Sequence, residues 1–148
     1  GDSDVGTVNV SMDGDELIVF DSSQDVIDAG DDTSFQSQDS LVFNSGENID
    51  FSALNNPEIL NFESIDLTND ADTGTAGVHS ISDLSAQDVL DITDTGNTLT
   101  IEGGGADSVE LLTADGWSVD CSGSTYDVYT SGSATINIDK DMTNITFI

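Results

Sequence analysis

Apolar residues in this chain come in short runs, each closed off by turn-forming residues. Leu17–Phe20, Val26–Ile27, Leu41–Phe43, Ile49–Phe51 and Ile65–Leu67 are such runs, and Asp15, Asp25, Asp39 and Asn48 stand just before four of them. The spacing is irregular, about 8 to 16 residues, and short strands at such intervals predict an all-β sandwich or a solenoid. Upstream, the alternating TVNVSM segment within residues 1–13 reads as a further strand, on an edge.

The middle of the chain breaks this rhythm. Asn55–Asn56–Pro57 is a turn, after which Glu58–Phe62 reads as a short helical turn or a bridge. Thr68–Gly77 has two glycines and no large apolar residue, so it reads as a loop, and His79 just after it reads as polar surface. Leu84–Asp91 is the one helix: Ser85 is placed to cap it, Asp88 to return the bond, and Leu84 to pack on Val89. Thr98–Ile101 and Val109–Leu112 follow as strands. After Trp117 the alternation is clean. Tyr126–Thr130 and Ala134–Ile138 are strands set off by the Ser-Gly-Ser turns at 122–124 and 131–133, and Ile145, Phe147 and Ile148 close the chain. The fold class this predicts is all-β: irregular β-solenoid or β-roll-like rungs over residues 1–112, one short helix near 85–91, and an antiparallel cap over 113–148. With 148 residues the whole is expected to be one domain.

Charge narrows the function. Thirty acidic residues face a single lysine, Lys140, and no arginine, for a net charge of -29. Nothing can neutralise phosphates, which argues against nucleic acid and against an anionic membrane surface. No stretch approaches the roughly 18 apolar residues of a membrane-spanning helix. Self-repulsion at this density opposes the compact state, so multivalent cations become natural partners. Cys121 has no second cysteine to pair with, and no motif joins it to His79, the single histidine. With no nucleophile–base set in view, the chain is expected not to be an enzyme, although carboxylate pairs are abundant.

The most pointed local signal is EGGGADSVE at Glu102–Glu110. Set on the calcium nonapeptide G-G-x-G-x-D-x-U-x, Gly103, Gly105, Asp107 and Val109 match, and Glu102 replaces the first glycine. The glycines would turn the backbone at φ values a Cβ forbids, and Asp107 would offer hard carboxylate oxygens to Ca²⁺. IDAGDDTSF at Ile27–Phe35 is a second, eroded copy with Gly30 and Asp32 in place, and ITDTGNTLT at Ile92–Thr100 is a third, with Asn97 at the aspartate position. The metal-ligand candidates are therefore Asp32 and Asp107, then Asn97, Asp28 and Asp31. Asp28, Asp31 and Asp32 belong to an acidic turn cluster with Asp21 and Asp25.

The run NFESIDLT at Asn61–Thr68, then Leu84–Leu112, then YDVYTSGSATINID at Tyr126–Asp139, with IDFSAL at Ile49–Leu54, resembles the C-terminal region of large bacterial RTX adhesins and related type I-secreted surface proteins. The resemblance implies a non-enzymatic extracellular module with calcium-dependent folding. It also implies export by the type I machinery without an N-terminal signal peptide, which fits the lack of a basic and apolar leader in Gly1–Val10. Partners would be calcium, that machinery, and a host or biofilm surface. The alternative is a self-assembling subunit of an extracellular filament, pairing through the edges of Leu17–Phe20 and Thr143–Ile148.

Overall fold

The computed structural model describes residues 7–9, 17–20, 26–29, 39–52, 58–93 and 96–148. In chain order the strands are β1 (Thr7–Asn9), β2 (Leu17–Val19), β3 (Val26–Asp28), β4 (Ser40–Val42), β5 (Ile49–Asp50), β6 (Glu58–Leu60), β7 (Ser64–Asp66) and β8 (Ser80–Leu84). Helix α1 (Ala86–Ile92) follows, then β9 (Thr98–Glu102), β10 (Ser108–Leu111), a 3-10 turn at Thr113–Asp115, β11 (Ser118–Asp120), β12 (Tyr126–Ser131), β13 (Ala134–Asp139) and β14 (Asn144–Phe147). The chain is thus strand-rich, with one α-helix among the described residues.

The strands form three sheets, ordered β1-β3-β6, β14-β10-β8-β5 and β11-β12-β13-β9-β7-β4-β2. From β3 onward the chain visits the three-stranded, seven-stranded and four-stranded sheets in that order and then repeats. Up to β10, each return pairs parallel with the strand of the previous visit. On the third visit α1 packs against β6, β9 and β13 instead of adding a strand to the first sheet.

Register follows from the apolar pattern. Ile18, Leu41, Ile65, Ile101 and Ile138 stand opposite one another on successive strands of the large sheet, and all five are buried. Ile49, Ile81 and Val109 do the same on the four-stranded sheet, with the half-buried Ile145 opposite Val109 at its edge. A slip of one residue would turn each of these columns to solvent, which is why so short a set of strands keeps one register. β8 carries a bulge: Ile81 stands opposite Val109, but Leu84 opposite Leu111, and Asp83 between them takes φ +56°. The extra residue brings Leu84 inward, fully buried, immediately before the helix cap.

Helix α1 begins as its sequence predicts. Ser85 accepts from the Asp88 amide at 3.0 Å, and the Asp88 carboxylate accepts from the Ser85 amide at 2.9 Å. Val89 and Ile92 are buried and Leu90 packs against the core.

Two expectations are corrected. Glu58–Leu60 is a strand, β6, not a helical turn: it lies beside β3, buries Ile59, and ends at Asn61, whose φ of +63° stops any regular element. The antiparallel cap is also smaller than residues 113–148. β11, β12 and β13 pair antiparallel, but β13 joins β9 in parallel and β14 joins β10 in parallel. Both edges of β13 are taken, by β12 and β9, so the chain after Asp139 cannot fold back on it and passes to the next sheet. Asn55–Pro57 lies outside the described residues.

Candidate functional site

The Gly103–Asp107 turn lies at one corner of the molecule, where the chain passes from the seven-stranded to the four-stranded sheet. It makes this passage four times, through residues 43–48, 67–79, 103–107 and 140–143. Neighbouring corners are tied to one another by side chain-to-backbone bonds. Asn48 accepts from the Ser80 amide at 2.8 Å, and Asn144 donates to the Gly105 carbonyl at 3.0 Å and toward that of Asp107 at 3.4 Å.

Asp107 is the strongest of these ties. It is 2 % exposed, its Oδ1 accepts from the His79 amide at 2.9 Å, and its Oδ2 accepts from the Gly104 amide at 2.8 Å. The neighbouring carbonyls are engaged too: Gly104 accepts from the Asp107 amide and Gly105 from Asn144. Calcium needs six to eight oxygens converging on one point. Here both carboxylate oxygens and the Gly104 and Gly105 carbonyls already accept hydrogen bonds within the protein. Among the described residues no group of three or more His, Cys, Asp or Glu side chains is gathered that could hold a metal.

The glycines have a different reason from the one their motif suggests. Neither Gly103 nor Gly105 has a left-handed φ. Gly103 occupies the corner position that Phe20, Phe43 and Leu67 hold on earlier strands, two residues past the buried Ile or Leu. Met142, itself buried, fills that space from the following corner.

His79 corrects the sequence reading most sharply. It is not polar surface: it is 1 % exposed, beneath the corner. Its Nδ1 meets the Glu47 carbonyl at 2.6 Å and its Nε2 meets the Asp70 carboxylate at 2.6 Å, while the Phe43 ring lies 5.7 Å away. Asp70 is buried in the loop before it, and Gly77 is so close that any Cβ there would clash with its carboxylate. Burial alone would lower the ring's pKa, but the Glu47 carbonyl and the Asp70 and Asp107 carboxylates outweigh it, and the net direction is up.

The other candidates are dispersed. Asn97 precedes β9 with φ +54°, and its carbonyl accepts from the Thr135 amide. Asp28 lies on β3, while Asp31 and Asp32 fall outside the described residues. Cys121 is exposed and Lys140, the chain's one lysine, bonds its carbonyl and pairs with Asp127 at 2.7 Å. Tyr129 is buried, and Trp117 packs against the core. Glu102, the motif's departure, accepts from the Tyr126 hydroxyl on the outer face of the large sheet. Burial and the charges of Asp139 and Asp66 push its pKa up against the lowering pull of that hydroxyl. No signal in the sequence points to His79 and Asp70 as a buried pair, because the groups that enclose His79 include Glu47 and Asp107 from the two neighbouring corners.

Comparison with protein-family models, with curated proteins and with solved structures finds no match.

Proposed function

We propose that this chain is a non-enzymatic structural module of a bacterial type I-secreted surface adhesin, built as an irregular β-solenoid that a β-hairpin interrupts near one end. The observation that carries this reading is the cyclic return to the same three sheets, the strands from β3 to β10 pairing parallel with the ones a circuit earlier. Such a stack is a spacer or display element: its interior is packed with side chains and its outer faces and corners are free to vary. Two further facts support the non-enzymatic part. The one histidine is sealed in a packing role, and the one cysteine is exposed far from it in sequence. Calcium, when bound, would screen the carboxylates of an acidic turn, and the candidates for it are Asp28, Asp31 and Asp32.

The test is a melt followed by circular dichroism in chelator and in stepped millimolar calcium, for the parent and for Asp32→Asn. The reading expects calcium to raise the parent's melting temperature and to raise that of the variant less. A parent indifferent to calcium at low salt would remove the calcium-dependent part of the proposal. Purified protein turning over a glycan or peptide would remove the non-enzymatic part.

A filament subunit is the second reading, favoured by the sheet edges. β2 and β14 are edge strands of their sheets among the described residues, and they leave Leu17, Phe147 and Ile148 exposed. Edge pairing between copies at different faces would be head-to-tail, and such pairing extends into a filament where its rotation does not close a ring. Electron microscopy of the purified protein decides it.

A further inference from the structure

We propose that the outer edge of β14 is a docking site for a strand of another protein: an extended segment in which large apolar residues alternate with lysine or arginine. The inference goes beyond the structural reading above and rests on neither calcium nor export.

The hydrogen-bond register shows which groups are on offer. The Ile148 amide donates to the Leu111 carbonyl at 2.9 Å, and the Thr113 amide donates to the Ile148 carbonyl at 2.7 Å. In a parallel ladder alternate residues face the same neighbour, and Phe147 stands opposite Leu111. Asn144, Thr146 and Ile148 therefore turn their main-chain groups to β10, and Ile145 and Phe147 turn theirs away from it. β14 ends its sheet, and neither of these two residues makes a further main-chain bond among the described residues. The large sheet runs two strands past this level: β13 and β14 belong to one circuit, and β12 and β11 continue beyond β13. The result is a step, with β14 as its floor and β12 beside it, where the Tyr129 ring lies 6.3 Å from that of Phe147. Ile145 and Phe147 stand opposite the buried Val109 and Leu111, so they carry the inner columns to this end. Phe147 is 46 % exposed, since no further strand among the described residues covers it.

Charge selects both this edge and its occupant. Natural sheets blunt an open edge with charge, proline or a bulge. β11, which ends the large sheet, carries the exposed Asp120, whereas no charged residue occurs from Met142 to Ile148. Carboxylates stand around β14 instead: Asp141 is exposed just ahead of it, and Glu110 is opposite Thr146 on the outer face. An apolar edge inside an acidic rim suits a strand that is apolar on its inward positions and basic on its outward ones. A second copy of this chain is disfavoured, because it brings another charge of -29 to the contact. The incoming strand would bond the N–H and C=O of Ile145 and Phe147 and lay its apolar side chains over the Phe147 ring.

The experiment titrates the isotope-labelled parent chain, at low salt, with a short peptide of alternating valine and lysine. A counterpart N-methylated at every backbone amide keeps the side chains and the charge but donates nothing to a ladder. The expected result is saturable binding that slows hydrogen exchange at the Ile145 and Phe147 amides and is about tenfold weaker for the methylated peptide. In a second arm, Phe147→Lys and Leu17→Lys add the same charge at two different edges, with a melt of each to confirm folding. The first is expected to weaken binding about tenfold, and the second to leave it at the parent's strength. Equal binding of the two peptides, or binding that leaves exchange at Ile145 and Phe147 unchanged, overturns the proposal, as does an equal loss in two folded variants. If Phe147→Lys does not fold, exchange in the parent decides alone. A parent that associates with itself through those same two amides, without peptide, overturns the choice of occupant and supports the filament reading.

Discussion

A methyl group on the α-carbon of Gly103 would stand 2.7 Å from the sulfur of Met142. It would also lie 3.1 Å from Oδ2 of Asp107. Met142 is flexible but buried, so moving it displaces other core atoms. Gly103→Ala is expected to cost about 1–3 kcal/mol, the usual range for overpacking. Gly105→Ala is expected to be near neutral, because the nearest atom to a Cβ there is 3.8 Å away. Urea denaturation of the two variants checks the contrast. Equal costs would mean that the glycines serve backbone conformation after all.

The capping box predicts a second measurable loss. Ser85→Ala leaves the Asp88 amide without its side-chain acceptor and should cost about 1 kcal/mol. Asp88→Ala removes the reciprocal bond, and the double variant should cost less than the two single losses added, because each change disables part of the same box. Chemical denaturation of all three gives the coupling directly.

Core packing supplies a third. Ile101 is fully buried in the middle of the large sheet's apolar column, so Ile101→Ala should cost about 2–5 kcal/mol. Ile145 occupies the corresponding column of the four-stranded sheet but is only half-buried, on an edge strand. Ile145→Ala should cost clearly less. The order of the two midpoints in urea is the check.

Glu102 and Tyr126 give a pH prediction with a sign. Burial, then the charges of Asp139 and Asp66, hold the Glu102 carboxyl above its ordinary 4.5, so the folded protein keeps that proton longer than the unfolded chain. This contribution is present below about pH 4.5 and is lost as pH rises through the folded value. Glu102→Gln should lessen the fall in melting temperature above pH 4.5, relative to Glu110→Gln, which removes one charge elsewhere. The same carboxylate pushes the Tyr126 phenol up to about 12. Phenolate absorbance should show that late ionisation in the parent and an earlier one in Glu102→Gln.

What the sequence made legible was local. The cap of α1 lies within residues 85–88, and the alternation of Ala134, Ile136 and Ile138 declares an inward face without reference to anything distant. Gly103 stands out in the sequence as a turn glycine, but the pressure on it comes from Met142, a contact no nonapeptide template contains. β6 was hidden because three residues of Glu-Ile-Leu carry no period of their own and become a strand only beside β3. His79 was hidden for the same reason at larger scale. Asp70 lies in the same long corner, but Glu47 and Asp107 come from the corners on either side, and only stacking brings those two to it.

The four corners between the two larger sheets differ in length, with residues 67–79 by far the longest, yet the columns on either side stay in register: Leu41 with Ile65 and Ile101, Ile49 with Ile81 and Val109. Strand alignment is therefore independent of how much chain lies between the sheets at this corner. A foreign peptide spliced beside Thr73, on the exposed part of the longest corner, would lengthen that corner and leave the strands on either side paired as they are. The paired strands fix the frame, and the length of chain carried at this corner is set apart from it.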